Sequence, residues 1–182
     1  MRAALWLARA IDALNTWAGK AVSWLLLLAI FISATNAVVR KVFNLSSNAW
    51  LEVQWYLVAA AFLVAAGYTL LENEHVKVDL VYGKLPRRAQ IIIELFGIAF
   101  FLMPFCLVTL YLAWPIAIAK YVAGEVSNNT GGLILWPAWA LIPIGFGLLA
   151  LQGVSEFIKR VAILNGAAPD PVALADAQAT SL

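Results

Sequence analysis

Four long apolar stretches without charged residues constrain the fold of this 182-residue chain more than any other feature. A helix needs about 20 mostly apolar residues to cross a bilayer. The stretches predict four membrane-spanning helices, at residues 21–39, 53–71, 95–119 and 133–155. A charge at the centre of a span costs about 2.5–3.5 kcal/mol on insertion. Because the charges here lie at the borders of the stretches, we expect an all-α integral membrane protein with four transmembrane helices.

The distribution of basic residues predicts the orientation of these helices. Nine Lys and Arg residues lie in the N-terminal segment, the middle loop and the C-terminal segment, and three lie in the two other loops. Loops rich in Lys and Arg stay in the cytoplasm. We therefore expect both termini and the middle loop on the cytoplasmic side.

The two ends of the chain differ from the apolar region between them. Residues 1–20 predict an amphipathic helix in the membrane interface. Its polar face holds Arg9, Asp12, Thr16 and Lys20, and its apolar face holds Leu7, Ile11, Leu14 and Ala18. Residues 21–162 form the predicted four-helix transmembrane domain. Residues 163–182 predict a disordered cytoplasmic tail, because the chain from Asn165 onward is small, polar and proline-bearing.

The residues that enzymes and metal proteins require are scarce. The chain has one cysteine, Cys106, and one histidine, His75, so it lacks the ligands of a typical zinc site and the paired histidines of a bis-histidine haem. The sequence contains no G-x-S-x-G, H-E-x-x-H or C-x-x-C motif. A net charge of +2 without a basic run does not favour nucleic acid. We predict a protein that is not an enzyme and that holds no metal or cofactor.

Small residues occur at intervals along the predicted spans, where they let helix backbones approach closely. They are Ala29, Ser33, Ala37, Ala61, Ala65, Gly145, Gly147 and Gly153. The pattern fits packing within a four-helix bundle at least as well as packing against a partner. Ionisable residues, which mark the path of a self-sufficient transporter, are absent from the middle of all four stretches.

Three sequence elements lie in and just after the second predicted span: residues 51–56 read LEVQWY, residues 66–70 read AGYTL and residues 74–79 read EHVKVD. Together they resemble the small membrane subunit of tripartite ATP-independent periplasmic (TRAP) transporters, the DctQ-like family. The H-V-x-V-D element just after the second span is the most specific of them. The later runs GGLILWP at 131–137 and LIP at 141–143 resemble the branch named for mannitol or chloroaromatic compounds.

The resemblance covers residues 20–162 and implies a subunit of a complex in the bacterial inner membrane. In such a complex a large membrane subunit carries the substrate, typically a small organic acid, with sodium by an elevator motion. A periplasmic binding protein captures the substrate. The small subunit supports the static scaffold of the large one, which suits a chain without ionisable residues at mid-membrane.

Four residues at the borders of span two are candidate contacts to the large subunit or to a phospholipid: Arg40, Glu52, His75 and Asp79. Arg40 and Lys41 end the first span on the side where Glu52 begins the second, so a cation and a carboxylate can meet there. His75 and Asp79 are one helical turn apart. Arg40 is the candidate for a phosphate, which a guanidinium binds with two hydrogen bonds. The alternative is that all four are ordinary interfacial anchors.

Other functions remain open at this level. A small self-sufficient oligomeric exporter needs a carboxylate inside the membrane, whereas Glu52, Glu72, Glu94 and Glu156 lie at borders. A four-helix redox protein needs histidine pairs or a dithiol. An assembly or accessory protein of another inner-membrane complex has the same general features as this chain.

Overall fold

The computed structural model describes residues 2–44, 47–72, 82 and 85–170. These residues form five α-helices: α1 (Arg2–Phe43), α2 (Asn48–Leu71), α3 (Arg87–Gly97), α4 (Met103–Ala123) and α5 (Trp136–Leu164). A π-helical turn, Ile98–Leu102, joins α3 and α4 into one continuous rod of 37 residues. The rod, α1, α2 and α5 are each long and apolar enough to cross a membrane. The predicted all-α fold with four spans is confirmed.

Helix α5 is the centre of the assembly. It packs against α1, α2 and α4, and α1 and α2 also pack against each other. Helix α4 packs chiefly on α5. Residues near the start of α1 contact residues in the second half of α5, for example Ala8 with Ser155, so these two helices run antiparallel.

Several of the predicted small residues lie where helices approach each other. Ala29 and Ala61 are buried, and a Cβ atom on Gly145 would lie 2.7 Å from the backbone oxygen of Leu63. At this spacing only glycine allows α5 and α2 to pack without a shift. Gly147, in contrast, has open space where its Cβ would be. These contacts support internal packing as the role of Ala29, Ala61 and Gly145.

Three helices meet at Gly67 of α2. A Cβ atom at this position would lie 2.2 Å from Oδ1 of Asn15 and 3.2 Å from the backbone oxygen of Leu148. Asn15 belongs to α1 and Leu148 to α5, and the Asn15 side chain is fully buried. The missing side chain of Gly67 therefore makes room for a polar amide between three helix backbones.

The π-helical turn comes just before Pro104. Proline has no N–H group, so residue 104 cannot donate the hydrogen bond that an α-helix would direct to the carbonyl of Phe100. The N–H of Met103 bonds instead to the carbonyl of Ile98, five residues earlier. One wider turn thus accommodates the proline and keeps the rod continuous, as π-bulges commonly do.

Helix α1 continues without a break through residue 20, where the sequence predicts a boundary between an interfacial helix and a span. Its 42 residues extend about 63 Å, roughly twice the thickness of a bilayer core. The buried positions in its first half are Ala8, Ile11, Asn15, Ala18, Gly19 and Val22. Leu7 and Leu14, assigned to the apolar face, are 46% and 43% exposed. The face that packs is thus rotated from the predicted one, because α5 binds polar side chains of α1.

The chain turns back after α5. Gly166 adopts a positive φ of 68°, its N–H bonds to the carbonyl of Ile163, and the N–H of Ala167 bonds to the carbonyl of Ala162. This is the Schellman arrangement that ends many helices. Asp170 then accepts two hydrogen bonds from Arg87, at 2.7 and 3.0 Å. The first part of the predicted tail thus lies against α3, and residues 171–182 fall outside the described residues.

We expect Gly67→Ala to destabilise the protein by about 1–3 kcal/mol, the usual effect of overpacking a tight core. The new methyl group would overlap Asn15 Oδ1, and the Leu148 carbonyl limits its escape. The thermal midpoint of the detergent-solubilised chain should fall. Gly147→Ala is the matched control, because its methyl group enters open space. Equal midpoints for the two variants would contradict the three-helix contact.

Candidate functional site

Glu52 organises the loop that connects α4 to α5. Its carboxylate accepts hydrogen bonds from the Ser127 hydroxyl, from Nδ2 of Asn129 at 2.6 Å and from the backbone N–H of Leu133 at 2.7 Å. The loop itself is a short hairpin, in which the N–H of Ser127 bonds to the carbonyl of Leu133. Tyr56, one turn after Glu52, donates to the carbonyl of Ile134. We call this end of the bundle the loop end.

The other candidate border residues do not join Glu52. Arg40 is exposed, and neither Arg40 nor Lys41 forms an ion pair within the part of the chain that the structure describes. In this structure the Glu52 carboxylate is bound by the α4–α5 hairpin, and a contact between these cations and Glu52 stays a prediction. His75 and Asp79 lie outside the described residues.

A buried polar cluster joins α1 to α5 at the opposite end, the clamp end. We call it the polar clamp and define it as Asp12, Asn15, Gln152, Ser155, Glu156 and Lys159. Nδ2 of Asn15 donates to Oε1 of Gln152 at 3.0 Å, and Nε2 of Gln152 donates to Oδ1 of Asp12 at 2.8 Å. Ser155 donates to the same Asp12 oxygen at 2.7 Å. Asn15, Gln152 and Ser155 are fully buried.

Ion pairs extend the polar clamp toward α3. Lys159 pairs with Asp12 at 3.1 Å and with Glu156. Arg160 pairs with Glu156 and, at 2.5 Å, with Glu94 of α3. Glu156 is 5% exposed, so its charge would be costly without these two cations. These ion pairs link α1, α5 and α3 at the clamp end of the bundle.

Glu94 also anchors the segment before α3. The Tyr82 hydroxyl donates to Oε1 of Glu94, and Gln90 donates to the backbone carbonyls of Tyr82 and Leu85. Burial, and then the hydrogen bond to Glu94, raise the pKa of Tyr82 to about 12. The phenol therefore stays protonated at neutral pH and remains a hydrogen-bond donor.

Sequence reasoning missed the polar clamp. Asp12 was assigned to a solvent-facing helix surface, and Asn15 carried no prediction. Gln152 offered the one usable signal, since an amide inside a stretch without charges requires a partner in an apolar environment. Its partners on α1 lie about 140 positions away in the chain, which no local pattern reveals.

The geometry of the Glu52 contacts and of the polar clamp suits a structural role, in which polar contacts hold neighbouring helices together. Each carboxylate of the polar clamp is held by a cation or by several hydrogen-bond donors, and the groups join neighbouring helices at their ends. Among the described residues, no three His, Cys, Asp or Glu side chains are grouped so that they could hold a metal ion. Both clusters therefore set the register of the helices, one at each end of the bundle.

Glu52→Gln should loosen the α4–α5 hairpin. The carboxylate uses both oxygens as acceptors, whereas glutamine has one, so its NH2 group would face a donor. We expect the amide of Leu133 to exchange its hydrogen about tenfold faster, as measured by hydrogen–deuterium exchange. Glu72→Gln, an exposed change at the other end of α2, is the control. Unchanged exchange in Glu52→Gln would show that Glu52 does not hold the hairpin.

Comparison with known proteins identifies the family. The profile of the DctQ component of tripartite ATP-independent periplasmic transporters matches residues 29–162, which include α2, α3, α4, most of α5 and the C-terminal part of α1. No curated protein and no solved structure matches the chain. The DctQ component is a membrane protein that functions with a large membrane subunit and a periplasmic binding protein. Because the match covers more than half of the sequence, the chain belongs to the DctQ family of small TRAP transporter subunits.

Proposed function

We propose that this chain is the scaffold subunit of a TRAP transporter in a bacterial inner membrane. In this proposal it supports a large, sodium-coupled elevator subunit that imports a small organic acid delivered by a periplasmic binding protein. Both termini lie in the cytoplasm, as the basic residues predict. The sequence elements at 131–143 favour the mannitol or chloroaromatic branch within the family.

The positions of the ionisable and polar side chains are the main support for this proposal. The apolar stretches between the border charges contain no ionisable residue, whereas a carrier places such residues along its substrate path. The buried polar side chains of the clamp are bound to each other and to neighbouring helices. They serve a bundle that keeps its shape, which is what a static scaffold requires.

The outward surface of α4 suits contact with lipid or with another membrane protein. This helix packs chiefly on α5, and large apolar side chains cover its other faces. Phe105, Tyr111, Trp114 and Val122 are each at least 60% exposed. In a bilayer such a surface is stable, and a partner can bind it by shape and by van der Waals packing.

The border residues divide between two roles in this proposal. The contacts of Glu52 with its own hairpin favour an internal structural role. Arg40 is exposed and without an ion pair among the described residues, so it remains our candidate for contact with a lipid phosphate or with the large subunit. His75 and Asp79 remain candidates on the basis of the sequence alone.

The proposal predicts that substrate uptake requires this subunit, although the subunit alone transports no substrate. Deletion of this subunit should abolish uptake by cells that still hold the large subunit and the binding protein, whereas liposomes that contain this chain alone should take up no substrate. Uptake of radiolabelled candidate acids, with the full complex as the positive control, measures both effects. Uptake by the chain alone would favour the alternative of a small self-sufficient oligomeric exporter. Full uptake without the chain would favour an accessory protein of another complex.

A further inference from the structure

A cavity of 570 Å³ lies beside the polar clamp. Its walls come from the first turns of α1, the last residue of α2, the rod, the end of α5 and the returning C-terminal segment. Six apolar residues line it: Leu5, Ala8, Leu71, Ile163, Ala168 and Pro169. The volume is typical of sites for small molecules.

The charged residues that line the cavity differ in whether they form ion pairs. They are Arg9, Arg87, Glu94, Glu156, Lys159 and Arg160. Arg87, Lys159 and Arg160 each pair with carboxylates. Arg9 forms no ion pair within the described ranges, and its one hydrogen bond, from Nε to the carbonyl of Leu5, is long at 3.4 Å. Arg9 is therefore the lining cation whose guanidinium is available to a ligand.

The position of the cavity limits what can fill it. Leu71 ends one candidate span, and Arg87 begins another, so the cavity lies where the helices leave the apolar layer. Side chains around an empty apolar space lose van der Waals contacts, and a hydrocarbon chain restores them. An exposed guanidinium beside such a space binds a phosphate through paired, charge-assisted hydrogen bonds.

We propose that this cavity binds a membrane phospholipid, with the phosphate on Arg9 and part of an acyl chain against the apolar wall. The returning C-terminal segment forms one side of the site through Ala168 and Pro169. The Arg87–Asp170 ion pair holds this segment in place. The site is distinct from Arg40, which lies at the loop end, and it does not depend on the proposed role in transport.

The test uses the full chain in vesicles of phosphatidylethanolamine and phosphatidylglycerol that contain a phosphatidylglycerol with a photoreactive acyl chain. After illumination and trypsin digestion, mass spectrometry measures labelling of the peptide that follows Arg160, which includes Ile163, Ala168 and Pro169. We expect Arg9→Gln to lower this labelling about fivefold, the effect of losing one charge-assisted contact at a partly solvated site. Ala168→Phe, which fills the cavity, should lower it similarly while leaving Arg9 in place.

Lys20→Gln is the matched control, since it removes an exposed cation from the same helix away from the cavity. Labelling of the C-terminal peptide in this variant should equal that in the parent chain. Labelling that is the same in Arg9→Gln, Ala168→Phe and the parent would overturn the site. Loss of labelling on addition of millimolar inorganic phosphate would also overturn it, because the site would then bind the free anion and not a lipid.

Discussion

The hydrogen bonds between Asn15, Gln152 and Asp12 are the contacts on which the rest of this structure depends. In apolar surroundings a polar side chain without a partner costs several kcal/mol on scales that allow no compensation, roughly 4–8 for an amide or hydroxyl. Asn15 and Gln152 are fully buried, and in the observed register of α1 and α5 the Asn15 NH2 group donates to Gln152, whereas Oδ1 of Asn15 accepts no hydrogen bond among the described residues. Shifting either helix by one residue would separate them.

The other packing features agree with that register. Gly67 brings α2 against Asn15, and Gly145 brings α5 against the backbone of α2. With α1 and α5 aligned by the polar clamp, Arg160 reaches Glu94 and ties the start of the rod to the same end. At the loop end, Glu52 holds the connection between α4 and α5. The bundle is thus fixed at both ends by polar contacts, and apolar packing fills the space between them.

Much of the fold could be predicted from the sequence, because the signals for membrane helices are local. The apolar stretches without charged residues predict the four spans, and the sequence elements at 51–56 and 74–79 indicate the family. The contacts that define the clusters are not local. Glu52 was recognised as a border residue, but its partners 75 to 81 positions later left no periodic signal. Asp12 fits a solvent-facing position by helical spacing, and only the position of α5 shows that it is a shared acceptor.

A double-mutant cycle on Asn15 and Gln152 tests the central claim most directly. Leucine has nearly the shape of asparagine, and methionine is close to glutamine in length, so Asn15→Leu, Gln152→Met and the double variant remove the hydrogen bond with little change in volume. The free energy of unfolding should show a coupling of at least about 0.6 kcal/mol between the two sites, since hydrogen bonds between membrane helices average about 0.6 and reach about 1.7 kcal/mol. Effects that add within about 0.3–0.5 kcal/mol would contradict the account, because the two amides would then act independently.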